Sequence, residues 1–188
     1  MCEEETGGLL LAENRLNGSK YYAKIDENIY KLLEYKLVVD LHVEILAINK
    51  DKAIVGRCSF TLHSKDNKCW NRIGHFVINV YEDYQSKGFG TELISCMHHF
   101  IDFVDTSIVE MHKSEVSPPD GNPITLAELK RFYEDRGFAI GYCGANPNSI
   151  VRRTKKGFHI GNLNLTKGAY VNQLTSIQSF VKQKCVLF

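Results

Sequence analysis

The sequence predicts a mixed α/β domain, and three observations support this fold class. Extended apolar runs come early in the chain, a helical pattern and a further short strand follow, and a second helix precedes a final hairpin. The chain has 188 residues, of which 44% are hydrophobic and 24% are charged, close to ordinary globular usage. A chain of this length buries a substantial core without disulfides or metal ions.

The first part of the chain predicts strands. Residues 1–20 are polar and contain glycine, and we expect them to be loosely held. Apolar residues dominate from Tyr35 to Ile48, which predicts a strand. Turn-forming residues at 49–52 separate it from a second strand, Ala53 to His63. A third extended run covers Trp70 to Val80.

Two helices are predicted in the middle of the chain. The first follows Gly90, because six apolar residues recur at the spacing of one helix face. They are Leu93, Ile94, Met97, Phe100, Ile101 and Val104. The second begins at Thr125, where Glu128 three residues later completes a capping-box pattern, and it ends at Gly137.

Shorter elements surround the second helix. Ile108 to Val116 is rich in β-forming residues and predicts a strand, which the proline-containing stretch 117–123 ends. Phe138 to Cys143 and Ile150 to Thr154 predict a hairpin. A last helix is expected from Gly168 to Lys184.

Composition excludes several classes of protein. No apolar run approaches the roughly 18 residues that cross a bilayer, and the acidic N-terminus is unlike a secretory signal. The six cysteines are scattered, without a C-x-x-C pair: Cys2, Cys58, Cys69, Cys96, Cys143 and Cys185. They are typical of free thiols in a reducing compartment. We therefore expect a cytoplasmic protein with no metal site.

Charge is unevenly distributed along the chain. The net charge is +1, but residues 151–188 hold seven Lys and Arg and no Asp or Glu. This asymmetry fits either an anionic partner for the basic segment or a solvated basic surface. The charge pattern by itself does not separate these two interpretations.

The most informative stretch lies between the third strand and the first helix. The strand ends at Val80, a short loop with Gly88 and Gly90 follows, and the helix begins at once. That arrangement aims backbone N–H groups and the positive end of a helix dipole at one point, which predicts a phosphate-binding cradle. Lys87 adds a positive charge. The alternative is an ordinary strand-to-helix turn that uses glycine for its geometry alone.

Two motifs in this order resemble those of the GNAT superfamily of N-acetyltransferases. The segment Gln85-Ser86-Lys87-Gly88-Phe89-Gly90 resembles the family's Q/R-x-x-G-x-G/A signature. Downstream, Tyr133 with Gly137 and Phe138 is similar to the pattern that ends a later helix of the family. The resemblance covers roughly residues 34–157.

The resemblance implies a fold and a domain division. The fold is a mostly antiparallel, twisted sheet that splays at the acyl-CoA site and is flanked by helices. Residues 34–157 are the acyltransferase core, and residues 1–33 are an N-terminal segment. Residues 158–188 are a basic C-terminal extension that belongs to the same domain.

The resemblance also implies a cofactor and roles for named residues. Acetyl-CoA is the acyl donor, and the reaction needs no metal. The residues expected to bind it are Val80, Gln85, Ser86, Lys87, Gly88, Phe89, Gly90 and Thr91. The backbone N–H of Val80 faces the thioester carbonyl as an oxyanion donor, and Tyr133 is the general acid that protonates the departing thiolate.

The general base is less clear. Several family members carry a base four or six residues before the residue matching Val80, but Phe76 and Gly74 stand there. His75 lies between them and, by strand alternation, points to the opposite face of the sheet, so we interpret it as structural. Glu110 on the next strand is the candidate base, with His112 on the same face. A water chain or a neutral acceptor also remains open.

The sequence therefore predicts an N-acetyltransferase that moves acetyl to a primary amine of a protein or small molecule. A non-catalytic module that binds CoA or a partner is the alternative, and an anion binder that acts through residues 151–188 is a third. No specific nucleic-acid partner is predicted. The last four residues, from Cys185, fit a prenylation signal and would tether the protein to a host membrane if it were used.

Overall fold

The computed structural model describes residues 8–32, 36–65, 68–104, 110–112, 116–117, 124–141, 147–152 and 162–165. Within these residues the chain forms nine strands and two α-helices. The strands are β1 Leu9–Asn14, β2 Lys20–Leu32, β3 Lys36–Ile48, β4 Ile54–Lys65, β5 Lys68–Val80, β6 Glu110–His112, β7 Phe138–Ile140, β8 Ile150–Arg152 and β9 Leu163–Leu165. The helices are α1 Phe89–Val104 and α2 Leu126–Glu134, and a 3-10 turn covers Glu82–Tyr84.

Seven of the strands form one sheet in the order β6-β5-β4-β3-β2-β1-β9. Every neighbouring pair is antiparallel except β5 and β6, which are parallel because α1 connects them. Strands β7 and β8 form a separate antiparallel pair. The fold is therefore a mixed α and β domain with a mostly antiparallel sheet, as the sequence predicts.

Most predicted elements are confirmed. The strands predicted at 35–48, 53–63 and 70–80 are β3, β4 and β5, and α1 occupies the expected segment. Thr125 caps α2 with the full capping box: its hydroxyl accepts from the N–H of Glu128, whose carboxylate accepts from the N–H of Thr125. The predicted C-terminal helix at 168–184 lies outside the described residues.

The prediction of a loosely held start of the chain is wrong for residues 8–20, whereas residues 1–7 lie outside the described part. Strand β1 joins the sheet, and its residues Leu11 and Ala12 are fully buried. The sequence pattern also does not predict β2. In β2 the buried residues Tyr21 and Ala23 lie on one face, whereas charged residues such as Lys24 lie on the other. The strand therefore contains no continuous apolar run, although one of its faces is apolar.

Helix α1 covers one face of the sheet and forms the core with it. Its residues Leu93, Ile94, Met97, Phe100 and Ile101 are all fully buried. They pack on the inward-facing residues of the central strands, and the ring of Phe60 meets that of Phe100 edge to face at 5.9 Å. The free thiols of Cys58 and Cys96 lie in the same core, and burial raises the pKa of both.

A buried polar network attaches β8 to α1. The guanidinium of Arg152 is fully buried, pairs with Asp102 and donates its Nε–H to Nδ1 of His98 at 3.0 Å. Since Nδ1 accepts this bond, Nε2 carries the hydrogen and donates it to the carbonyl of Arg136 at 2.9 Å. The network fixes the β7–β8 pair and the end of α2 relative to α1.

Candidate functional site

The site is built around β5, whose two edges are paired to different extents. Strand β5 follows β4 from Lys68 to Val80. Its pairing with β6 covers three residues, from Arg72 opposite Glu110 to Gly74 opposite His112. Among the described residues no strand pairs with the outer edge of β5 beyond Gly74. The space beside this part of the edge, from His75 to Val80, is called the cleft below.

A β-bulge stands where the strands part. His75 and Phe76 together oppose Phe60, since Ser59 pairs with Val77 and Thr61 pairs with Gly74. His75 has a φ of 51°, the left-handed region that non-glycine residues seldom adopt. Because the bulge adds one residue to β5, the side chains before and after it no longer alternate regularly between the two faces of the sheet.

This bulge corrects the prediction made for His75. Simple alternation places His75 on the face opposite both of its neighbours, but it shares a face with Gly74. Its ring lies 5.9 Å from that of His63, which is also the side chain above Gly74. Phe76, in contrast, packs against the core.

The second half of β5 presents backbone groups to the cleft. The N–H of Tyr81 donates to the carbonyl of Val55 at 3.0 Å, so Val80 and Gly56 form a non-hydrogen-bonded pair. The N–H of Val80 therefore points away from β4, towards the open edge. Ile78 forms the same kind of pair with Cys58 of β4, so its N–H also points towards the open edge. The sequence motifs do not single out this donor.

The predicted cradle is an exposed loop with alternating backbone handedness. Ser86 has a φ of 59° and Gly88 a φ of 91°, whereas Lys87 between them is not in the positive region. Alternating backbone conformations of this kind can turn successive N–H groups towards one side, an arrangement known as a nest that suits an anion. We call Ser86–Gly88 the nest. Gln85 supports the loop, because its amide donates to the carbonyl of Val80 at 3.2 Å. Lys87 donates to the carbonyl of Asp83 at 2.7 Å and keeps its charge beside the nest.

The remaining predicted binding residues have mainly structural side chains. Phe89 is 6% exposed, and its ring meets that of Tyr84 at 6.1 Å. The hydroxyl of Thr91 accepts a hydrogen bond from Nε of Arg136 at 2.9 Å. Gly90 is helical, and a Cβ there would meet its nearest neighbours, Phe132 and Val80, at ordinary contact distance. Phe89, Gly90 and Thr91 can contribute to anion binding through their backbone.

Tyr133 projects from α2 into the core beside Phe76 of β5 and is 9% exposed. Its ring lies 6.0 Å from that of Phe76 and 5.5 Å from that of Phe138, both edge to face. Burial raises the pKa of Tyr133, with a smaller contribution from nearby Cys58. The phenol is therefore protonated at neutral pH, as a proton donor must be.

The candidate base Glu110 is placed only by its backbone. Residue 110 begins β6 opposite Arg72, and His112 ends β6 opposite Gly74. The direction of either side chain lies outside the described part of the structure. The assignment of Glu110 as base therefore stays a prediction.

Two features of the site are not apparent from the sequence. Arg136 follows α2, donates to Thr91 and stacks over the ring of Phe132 at 3.9 Å, which brings a cation near the start of α1. Burial lowers the pKa of this guanidinium. Its position directly before Gly137 in the second motif is the signal that could have found it.

The second feature is a buried carboxylate in the first turn of α1. Glu92 is 8% exposed, accepts from the amide of Asn14 at 2.6 Å and bonds to the hydroxyl of Tyr21. Burial raises its pKa, and the bond from Asn14 opposes that shift. The contact ties β1 and β2 to the segment that follows the nest.

An open cleft lies on the other side of the nest. Its volume is about 440 Å³, and it is bounded by the hairpin turns after β1 and β3 together with the loop before α1. Lys50 and Lys87 provide its cations. Of the nest residues, Lys87 lines this cleft.

No protein family, curated protein or solved structure matches this chain at a significant level. Within the described ranges, no helix combines the length and the apolar character that crossing a membrane requires. The same residues contain no group of three or more His, Cys, Asp or Glu side chains arranged to hold a metal ion.

Proposed function

We propose that this protein is an acyl-CoA-dependent N-acyltransferase that moves an acyl group, acetyl in the simplest case, to a primary amine. The observation that carries the proposal is the meeting of two features at one end of β5. The nest at Ser86–Gly88 opens at the start of a 16-residue helix. Within the described chain, the strand leading into the nest has an unpaired outer edge. A phosphate-bearing ligand with an extended arm fits this combination.

The nest and helix α1 would bind the pyrophosphate of CoA. Backbone N–H groups of the loop point at the anion, and the helix dipole adds a favourable potential. Lys87 lies beside the nest and supplies a mobile charge. This interaction depends on backbone conformation more than on side-chain identity.

The outer edge of β5 would bind the arm of the cofactor. The pantetheine arm contains two amides, and an extended ligand can pair with an exposed strand edge as another strand does. The outward N–H groups of Ile78 and Val80 are the donors in reach. One of them would hold the thioester oxygen, where negative charge develops during attack.

Tyr133 would protonate the CoA thiolate as it leaves. Its ring packs on Phe76 beside the bulge, close to where the arm would end. The amine nitrogen attacks the thioester carbon directly, so no covalent enzyme intermediate is required. The acceptor is a primary amine of a protein or of a small molecule.

We also propose a cytoplasmic setting. The free, buried thiols of Cys58 and Cys96 support it, because a reducing compartment keeps such cysteines unpaired. The prenylation signal at Cys185 and most of the basic segment 151–188 lie outside the described residues. Membrane tethering and anion binding through that segment stay predictions.

Calorimetric titration with acetyl-CoA, with free CoA as a second ligand, tests the proposed binding. Gly88→Ala should weaken acetyl-CoA binding by roughly tenfold, because an alanine at a φ of 91° distorts the nest. Gly141→Ala is the matched control: its φ is 76°, but it lies in the β7–β8 region. Equal affinity in both variants would contradict the assigned binding site.

Thiol release with a panel of amines tests the proposed chemistry. Tyr133→Phe should lower kcat by roughly 100-fold and leave the Kd for acetyl-CoA unchanged, since the ring packing is retained. Saturable binding without turnover on any amine would support the non-catalytic alternative. The absence of binding by folded protein would contradict the proposal altogether.

A further inference from the structure

The proposed transfer needs a group that takes a proton from the amine, and β5 does not carry one at the expected positions. Gly74, six residues before Val80, has no side chain. The space beside it is nevertheless occupied. A Cβ built on Gly74 would lie 2.4 Å from Nε2 of His63 and 2.8 Å from its Cδ2. The imidazole of β4 therefore fills the place where a longer side chain on β5 would begin.

We propose that His63 is the general base of the acyl transfer and reaches the site from the neighbouring strand across Gly74. This inference rests on the proposed N-acyltransferase function and deepens it. Gly74 is also the last β5 residue that pairs with β6, so Nε2 of His63 lies beside the end of that pairing. The side chain is 22% exposed, which leaves it accessible to an acceptor from solvent.

Asp40 holds the other ring nitrogen of His63. Its Oδ1 lies 2.9 Å from Nδ1, and the Asp40 side chain is 17% exposed. Although Nδ1 of His63 is close to Oδ1 of Asp40, the direction of its N–H does not meet the geometry of a hydrogen bond. This buried Oδ1 therefore accepts no hydrogen bond within the described part of the chain. The carboxylate stabilises the positive charge that the imidazole gains when Nε2 takes a proton. Asp40 is thus a positioning residue.

Two other histidines face His63, and both are less suitable. His42 of β3 has its Nδ1 at 3.2 Å from the hydroxyl of Thr61, and it is not the side chain above Gly74. His75 of β5 lies edge to face with His63 and is exposed. His63 alone of the three combines contact with the carboxylate of Asp40 and a position over Gly74. Among the described side chains, His75 and Asp40 are the titratable groups in contact with His63, and His42 lies on the same face of the neighbouring strand.

The step balances with the groups named. The amine arrives as an ammonium ion, and Nε2 of His63 takes one proton through bridging water and passes it to solvent. The water is needed because Gly74 lies four residues, roughly 13 Å of strand, before Ile78. The free amine attacks the thioester carbon, the C–N bond forms, and the C–S bond breaks with its electron pair on sulfur. Tyr133 gives its proton to that thiolate and is restored by the second proton that leaves the amine nitrogen. The net products are the amide, free CoA thiol and one proton.

The test compares four variants of the full-length protein by thiol release and by calorimetric titration with acetyl-CoA. His63→Gln should lower kcat by roughly 100-fold or more, leave the Kd for acetyl-CoA unchanged, and abolish the acid-side fall of the pH–rate profile. Added imidazole should partly restore the turnover of His63→Ala. Asp40→Asn should reduce kcat less and alter the same acid-side limb, whereas His42→Gln is the matched control and should retain both kcat and the profile.

A strand-swap variant keeps the inference falsifiable if single variants lose activity for structural reasons. The double variant His63→Ala with Gly74→Glu places a carboxylate of β5 in the space that the imidazole leaves. Its kcat should be at least tenfold higher than that of His63→Ala alone. Full activity and an unchanged pH profile in His63→Gln would overturn the assignment of the base but leave the proposed function intact. Failure of the wild-type protein to bind acetyl-CoA would instead overturn both.

Discussion

The two faces of the seven-stranded sheet use alternate residues of the same strands and have opposite characters. On the face covered by α1, the central strands present Val43, Ile45 and Phe60, all fully buried. On the other face the same strands present Asp40, His42, His63 and their polar neighbours, which are partly exposed. Since successive residues of a strand point to opposite faces, a shift of one residue in the register would exchange the buried core residues with the titratable groups. The residues that dominate stability thus lie on one face, and the proposed base lies on the other.

The bulge at His75 is what brings the two faces together at one point. Ile73 and Phe76 both face the core, although residues three positions apart in a regular strand point to opposite faces. Gly74 and His75, which lie between them, are both on the polar face. Phe76 and Tyr133 therefore lie on one side of β5 near the bulge, and His63 lies on the other. The proposed proton donor and the proposed proton acceptor thus come from opposite faces of the sheet.

The largest expected effect tests the difference between the faces directly. Phe60→Ala should lower the free energy of unfolding by about 3–5 kcal/mol, because it removes a fully buried ring that packs on Phe100. Its neighbour Thr61, on the other face, loses one hydrogen bond with His42 when it is changed to Ala. That change should lower the free energy of unfolding by about 1 kcal/mol. Urea denaturation measures both, and equal losses would show that the two faces do not divide stability in this way.

A smaller effect distinguishes the two glycines of the loop before α1. Gly88→Ala should destabilise the fold by about 1–2 kcal/mol, since alanine is strained at a φ of 91°. Gly90→Ala should raise the free energy of unfolding slightly, by less than about 1 kcal/mol, because Gly90 is helical and has room for a Cβ. A large loss in Gly90→Ala would mean that the helix start is packed more tightly than the structure indicates.

The smallest effect concerns the one carboxylate in the described core. Burial raises the pKa of Glu92, so the folded state binds this proton more tightly than the unfolded state does. The resulting stabilisation is fully present below the unfolded pKa and is lost as pH rises through the folded pKa. Glu92→Gln should therefore gain in Tm relative to the wild type as pH increases from about 5 to about 8. A constant difference in Tm across that range would contradict a raised pKa for Glu92 in the folded state.

The sequence predicts the elements that local patterns specify. The apolar spacing of Leu93 to Ile101 and the capping box at Thr125 are enough to predict α1 and α2, because both depend on residues within one or two helical turns. The loop from Gln85 to Gly90 is found for the same reason. Strand β2 is missed, since its polar outward residues obscure the single buried face. Strand β1 is missed although it begins with a short apolar run, Leu9–Ala12, because the residues around that run are polar.

The chemistry of the candidate site depends on contacts between residues that are distant in the sequence. Ser86, Gly88 and Tyr133 could be named from motifs, whereas His63 and Asp40 carry no local signal. Their importance follows from the register that sets β3, β4 and β5 beside one another and from the bulge that turns Gly74 towards His63. Arg136 and Glu92 are similar cases, each defined by a partner on another element.

The sequence by itself thus determined where most helices and strands begin and end, because helix periodicity, capping and turn residues act over a few positions. Only the tertiary structure decided which backbone groups of β5 face the cleft and which histidine occupies the space beside Gly74. The physical reason is that strand pairing relates residues far apart in the chain, and a shift of one residue reverses every side chain.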